Sequence, residues 1–266
     1  MDKEKLIRKS KKVGYVLLWC ILAAGLLVSV AFINKQEQET RCSEVRVHIE
    51  PTEAAYFVDR DMVLRTIRKD GNEKKITGTK ITSINTPQLE ERLRNNPMIK
   101  TAQVYTDMNG KVTINIWQRR PILRIINSFG ESYYLDEDGL KMPVSPDYTA
   151  HVPVASGFIF EHGKGRDSAQ SLVGKELFKI ATYVDKDTFW NAQIEQIFVT
   201  AESEFTLIPL VGEQTISFGN TSDMEDKFSR LMLFYTEAMN RVGWDKYSNI
   251  DVKFKGQIVC KKKKSL

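Results

Sequence analysis

Residues 86–118 read TPQLEERLRNNPMIKTAQVYTDMNGKVTINIWQ, and within this stretch the apolar period changes from that of a helix to that of a strand pair. Asn85 or Thr86 can cap a helix, Pro87 fits its first turn, and Leu89 and Leu93 share a face before Asn96-Pro97 stops it. Beyond the stop, Ala102 and Val104, then Val112, Ile114 and Ile116, alternate with polar residues on either side of Asn109-Gly110. Both turn positions accept positive φ, which makes this pair a strong short-range hairpin signal. Upstream, Val45, Val47 and Ile49 alternate as one face of a strand that Pro51 ends. Asp59 is placed to cap a helix carrying Met62, Val63, Leu64, Thr66 and Ile67, closed by Asp70-Gly71. The stretch Ile76 to Ile84 has β character. Residues 42–118 therefore read β-α-α-β-β, an α+β domain.

The N-terminus has a different chemistry. Residues 13–33 run for 21 positions without a formal charge, behind a tail of 12 residues that holds six basic side chains and two acidic ones. About 20 apolar residues span a hydrocarbon core as a helix, and the basic excess holds the preceding tail on the cytoplasmic side. A cleaved secretory signal is the rival, with Ser29-Val30-Ala31 as its cleavage site, but its apolar core is shorter. Leu17-Leu18-Trp19-Cys20 departs from a lipobox at Trp19. The expected order is a cytoplasmic basic tail over residues 1–12, a transmembrane helix over 13–33, a polar spacer over 34–41 and folded structure beyond, outside the cytoplasm.

From Pro121 onward turns multiply, which predicts a second domain over 119–266. Short strands are expected near Ile122–Ile126, Ser132–Leu135, Leu140–Val144 and Val152–Gly157. A helix over Ser171–Asp185 buries Leu172, Leu177, Ile180, Ala181 and Val184. Strands follow at Ile194–Thr200, Phe205–Leu210 and Thr215–Phe218. A last helix, starting at Ser222 or Asp223, turns Phe228, Leu231, Met232, Tyr235 and Met239 inward. Two closing strands then alternate, through Ile250, Val252 and Phe254 and through Ile258 and Cys260. The expectation is a mostly antiparallel β domain with two flanking helices and a C-terminal edge strand.

Composition narrows function. Outside the basic tail, 33 basic residues face 32 acidic ones, so the bulk of the chain lacks the positive field that nucleic acid requires. Three cysteines are too few for a disulfide framework. Two domains in series would keep Cys42 and Cys260 apart. His48, His151 and His162 have no partners at metal-ligand spacing. Asp136-Glu137-Asp138-Gly139 lacks the alternation and terminal glutamate of a calcium loop. Gly163-Lys164-Gly165-Arg166 is not a phosphate-binding loop, and no G-x-S-x-G elbow is present. Asn220-Thr221-Ser222 matches a glycosylation sequon, with helix capping as its simpler role. These patterns predict no catalytic residue, cofactor, metal or small-molecule substrate.

One stretch does suggest binding. Gln257 to Lys262 reads as an edge strand whose unpaired backbone is a template for a partner's strand. Its lysines deter pairing with copies of itself while attracting an acidic partner.

The order of parts resembles the FtsQ/DivIB family of bacterial cell-division proteins. The likeness is carried by Tyr56-Phe57-Val58-Asp59, by Leu89 to Arg94 with Asn96-Pro97, by the hairpin through Asn109-Gly110, and by Gln118-Arg119-Arg120-Pro121-Ile122. It continues through Tyr133-Tyr134-Leu135-Asp136 with Gly139, Met142-Pro143-Val144-Ser145 and Ile250-Asp251-Val252, covering almost the whole chain. The resemblance implies that residues 42–118 form a POTRA module and that the chain is a non-catalytic, single-pass scaffold. It implies a place in the inner (cytoplasmic) membrane at the division septum, with the bulk of the chain in the periplasm. The implied partners are the divisome proteins FtsB and FtsL (DivIC-type). The matching strand-addition residues are Gln257, Ile258, Val259, Cys260, Lys261 and Lys262, with Tyr247 on the preceding strand. Two alternatives stay open on the residues alone, a POTRA-containing envelope biogenesis or secretion component and an envelope enzyme.

Overall fold

The structure is a computed structural model that describes residues 19–27, 29, 40–51, 56–68, 76–163, 165, 167–244 and 246–263. Residues 19–27 are helical, and among the described residues no helix is long and apolar enough to cross a membrane. The expected tail over 1–12, the rest of the expected span over 13–33 and most of the spacer lie outside the described residues. So does the expected helix stop at Asp70-Gly71. The folded chain divides into two compact units. The first comprises the chain to Ile49 with Arg60–Asn95 and Thr101–Ile116, and the second comprises Glu50–Asp59, Asn96–Lys100 and Trp117–Leu266.

In the first unit the elements follow β1 (Glu44–Ile49), α1 (Arg60–Arg68), α2 (Thr86–Arg94), β2 (Ile99–Thr106) and β3 (Lys111–Gln118). The sheet order is β1-β3-β2, with β1 parallel to β3 from Glu44↔Lys111 to Ile49↔Ile116. Val63 and Ile67 of α1 and Leu89 and Leu93 of α2 are buried, as are Ala102, Val104, Val112, Ile114 and Ile116 of the strands. Asn85 is the cap of α2, its side-chain oxygen accepting from the Gln88 N–H at 3.1 Å. The hairpin turn is held by Asp107, whose Oδ1 accepts from the Asn109 and Lys111 N–H groups at 2.9 and 2.8 Å. Gly110 there has a φ of 81°, and a Cβ on it would collide with the Arg41 carbonyl. The β character expected over Ile76–Ile84 is corrected: Lys80 makes one isolated bridge to Arg41, and Ile81–Ser83 is a 3₁₀ turn.

The second unit is built on one nine-stranded sheet in the order β12-β11-β10-β9-β8-β7-β4-β5-β6. Its strands are β4 (Pro121–Ile126), β5 (Ser132–Asp136), β6 (Lys141–Pro143), β7 (Val154–Gly157), β8 (Ile194–Val199), β9 (Phe205–Pro209), β10 (Thr215–Gly219), β11 (Tyr247–Asp251) and β12 (Val259–Lys262). The sheet is mixed, because β4–β7, β7–β8 and β10–β11 pair in parallel while the other pairs are antiparallel. Each parallel pair needs a crossover that can carry a helix or long loop.

The helices are α3 (Leu172–Lys186), α4 (Thr188–Gln193), α5 (Met224–Leu233) and α6 (Asn240–Val242), with a π-helical segment over Phe234–Met239 between the last two. They bury Leu177, Ile180, Ala181, Val184, Trp190, Phe228, Leu231 and Tyr235 in one core with Leu123, Ile125, Ile197, Leu207, Ile216 and Ile250 of the sheet. Two flanking helices thus understates the helical layer. Asp187, which accepts from the Phe189 and Trp190 N–H groups at 2.9 and 3.1 Å, starts the additional helix α4. At the start of α5, Asp223 adopts a φ of 52° and makes no side-chain cap. The Asn220 side chain turns the backbone there by accepting from the Ser222 N–H at 3.1 Å.

Candidate partner-binding edge

β12 lies at one end of the nine-stranded sheet and, among the described residues, pairs on one side only, with β11. The pairing is antiparallel, with Asp251↔Val259, Ile250↔Cys260, Asn249↔Lys261 and Tyr247↔Lys262, and a bulge falls at Ser248. An extra residue on one strand pins the register, since sliding the partner would have to move the bulge. β11 is itself fixed to β10 by parallel pairing and by Asn249, whose amide donates to Thr215 Oγ1 at 3.0 Å and Ser217 Oγ at 2.9 Å.

The connection between β11 and β12 is organised by one side chain. Arg230 of α5 donates from Nη1 to the carbonyls of Phe254, at 3.0 Å, and Gln257, and from Nη2 to that of Val252 at 3.2 Å. Its Nε–H donates to Asp226 one turn earlier at 2.8 Å, so the guanidinium is aimed before the loop reaches it. Asp251 accepts from the Lys253 N–H at 2.9 Å, and Gly256 takes a φ of 72°. The expected alternation through Phe254 is corrected here: β11 ends at Asp251, Val252 is fully buried and Phe254 sits half exposed in the turn.

Tyr247 begins β11 with its ring 5.9 Å from that of Phe234. Gln257 and Ile258 lie in the turn ahead of β12, whereas Val259, Cys260, Lys261 and Lys262 form the strand. Ile258 and Cys260 are partly buried against the core, and burial pushes the Cys260 thiol above its usual range. Val259 and Lys261 are exposed. Cys42 and Cys260 are both free thiols. Lys263 donates from its backbone to the Lys246 carbonyl at 3.0 Å and from its ammonium to Glu213 at 2.6 Å, which holds the Glu213 carboxyl below the usual range.

The model described as FtsQ/DivIB, C-terminal related, matches residues 120–261, which contain the whole sheet up to β12. The chain belongs to the FtsQ/DivIB family. A POTRA-like domain model matches residues 40–117, ahead of that region. The cell division protein FtsQ of Rhodothermus marinus is 24% identical over 189 residues, covering 70% of this chain and 68% of that protein. As an FtsQ/DivIB protein the chain is a cell-division protein, and the edge formed by β12 lies at the far end of the family's C-terminal region.

Other polar clusters of the second unit pair internally. Asp136 accepts from the Asp138 and Leu140 N–H groups at 3.0 and 2.7 Å and pairs with Arg119 at 2.6 Å, which makes Asp136 to Gly139 a braced turn. Arg120 makes a two-pronged pair with Asp185 at 2.6 and 2.8 Å. Among the described residues no three His, Cys, Asp or Glu side chains come together to hold a metal. His162 stacks on Phe129 and meets Glu131 at 3.1 Å.

The contribution of Arg230 was missed from sequence. Its only signal is the Asp226-to-Arg230 spacing of four on a helix, which many surface pairs share.

Proposed function

We propose that this FtsQ/DivIB protein is a non-catalytic scaffold of the divisome that receives an extended segment of an FtsB/FtsL (DivIC)-type partner at the free edge of β12. The observation that carries the reading is that, among the described residues, β12 pairs on one side only, leaving a row of backbone donors and acceptors for another chain. In this reading residues 1–12 are a cytoplasmic tail, 13–33 the membrane helix, 34–41 a spacer, 42–118 the POTRA-like domain and 119–266 the β domain. The charge-free run behind a basic tail supports that topology, with the domains in the periplasm and the protein gathered at the septum.

The test uses the full chain. Depletion is expected to yield filaments with unfinished septa, rescued by the parent and not by Cys260→Pro when the variant accumulates to the same level. Proline removes the backbone donor at 260 and resists pairing on that side. Normal division without the protein would overturn the scaffold reading, and full rescue by a folded Cys260→Pro protein would overturn strand addition.

A further inference from the structure

The backbone of Lys263 faces β11, because its N–H donates to the Lys246 carbonyl. In an antiparallel ladder successive residues face alternate sides. The N–H and C=O of Lys262 and Cys260 therefore face away from β11, toward the position an added strand would take, while those of Lys261 and Val259 are used within the hairpin.

Side chains alternate across the sheet in the same way. Cys260 lies opposite the buried Ile250 and packs against the core, so it belongs to the helix-covered face. Lys262, two residues on, shares that face and sits opposite Tyr247, whose ring contacts Phe234 of the π-helical segment. Lys261 belongs to the other face, opposite Asn249. The strand thus presents one ammonium on each side of the sheet at adjacent positions.

Two lysines close to this pair in sequence are neutralised. Lys263 is neutralised by Glu213 at 2.6 Å, and Lys253 in the connection is neutralised by Glu204 at 3.0 Å. Lys261 and Lys262 are exposed, and no carboxylate among the described residues pairs with either. A second copy of β12 added at this edge would bring lysine against lysine, and like charges directly across a ladder repel. An uncharged strand would leave both ammonium groups uncompensated.

On the helix-covered face the edge is also apolar and unfinished. Cys260 and Ile258 are only partly buried there. A further strand would lay one side chain over this face beside Cys260.

We infer that the occupant of the β12 edge is an extended protein segment with two consecutive acidic residues, one set against Lys261 and one against Lys262, and an apolar residue on the helix side against Cys260. The inference rests on the strand-addition reading and adds to it the chemistry of the added strand. The two acids are adjacent in sequence because the two lysines lie on opposite faces. The open backbone groups of Cys260 and Lys262 supply the ladder, and the acidic pair fixes which register the segment takes. The bulge at Ser248 and the bonds from Arg230 keep β12 from shifting to accommodate another register.

The experiment measures binding of the exported segment of the cell's own FtsB-type protein to the full chain in nanodiscs, over a range of salt. Five forms are compared: the parent, Lys261→Glu, Lys262→Glu, Lys255→Glu and Cys260→Pro, each checked for the parent's circular dichroism. Lys255 is exposed in the turn before β12, so its reversal makes the same change in net charge outside the ladder. Each reversal at 261 and 262 is expected to weaken binding about tenfold and to flatten its salt dependence, with Lys255→Glu near the parent. Reversing the matching acidic residue of the partner to lysine is expected to restore binding to the corresponding lysine-to-glutamate form.

If Cys260→Pro abolishes binding while reversal at 261 and 262 does nothing, strand addition stands and the acidic-pair inference falls. Equal weakening by Lys255→Glu would also overturn it, since general attraction would then suffice. If Cys260→Pro binds like the parent, or if the parent does not bind, the strand-addition reading fails and the inference with it.

Discussion

Glu161 shows how one buried carboxylate can organise a loop. Its side chain is 8% exposed, and it pairs with Lys141 at 2.8 Å, accepts from the Gln170 N–H at 2.7 Å and from the Ser171 N–H at 3.2 Å, and takes the Ser171 hydroxyl. Burial pushes its pKa up, but the Lys141 ammonium, the Ser171 hydroxyl and the Gln170 N–H together hold it below the ordinary 4.5. A carboxyl held low when folded stabilises the fold fully above its unfolded value, and that contribution is lost as pH falls through the folded value. Thermal unfolding of Glu161→Gln at neutral pH is expected to show a loss of about 3 kcal/mol, since Lys141 keeps its charge without a partner. Its stability should also fall less steeply than the parent's below pH 4.5. Parallel acid limbs for the two proteins would contradict this account. The sequence shows Glu161 only as one acid between Phe160 and His162. Its role depends on Lys141 and on Ser171, which lie 20 residues before it and ten after it.

At the scale of elements the two units treat their edges differently. β2 ends the sheet of the first unit, yet the N–H of Val104 on it is taken by Glu90 Oε1 of α2 at 2.8 Å. A side chain that occupies an edge donor discourages another strand from using it. Glu90→Ala is expected to leave the fold intact and raise self-association at high concentration, read by sedimentation velocity. An unchanged sedimentation profile would show that Glu90 does not guard this edge. Periodicity revealed the strands of both sheets because alternation survives wherever one face is buried, as in Val112, Ile114 and Ile116. It could not reveal the π-helical turn at Phe234–Met239, since Tyr235 and Met239 keep a helical spacing through it. Nor did it show α4, a six-residue helix whose one buried aromatic, Trp190, gives no period. Parallel pairing of β10 with β11 was equally hidden, because strand direction depends on the helices that cross between them.

For the whole molecule, a POTRA-like region followed by an FtsQ/DivIB C-terminal region was readable, and the ownership of two short segments was not. Glu50–Asp59 and Asn96–Lys100 belong to the second unit although the first unit's helices lie between them in sequence. Gln118 accepts from the Val58 N–H at 2.9 Å, and the Met98 carbonyl accepts from the Arg119 N–H at 2.9 Å. Such contacts between distant residues leave no periodic trace. Two compact units are expected to give two calorimetric transitions. Trp190→Ala, emptying the core of the second, should lower one of them by about 3–5 kcal/mol and leave the other in place. A single transition that moves as a whole would show that the units melt together.

The bonds from Arg230 also bear on load. A partner joined to β12 and tugged by a growing wall or a moving complex would pull on the last strand of a hairpin, the geometry in which hydrogen bonds unzip one by one. Val252, Phe254 and Gln257 are tethered by their carbonyls to a helix seated in the core. Tension reaching the connection would thereby pass into α5 and be shared by the packed interior, so that a strand added at β12 would pull on a cleat rather than on a loose end.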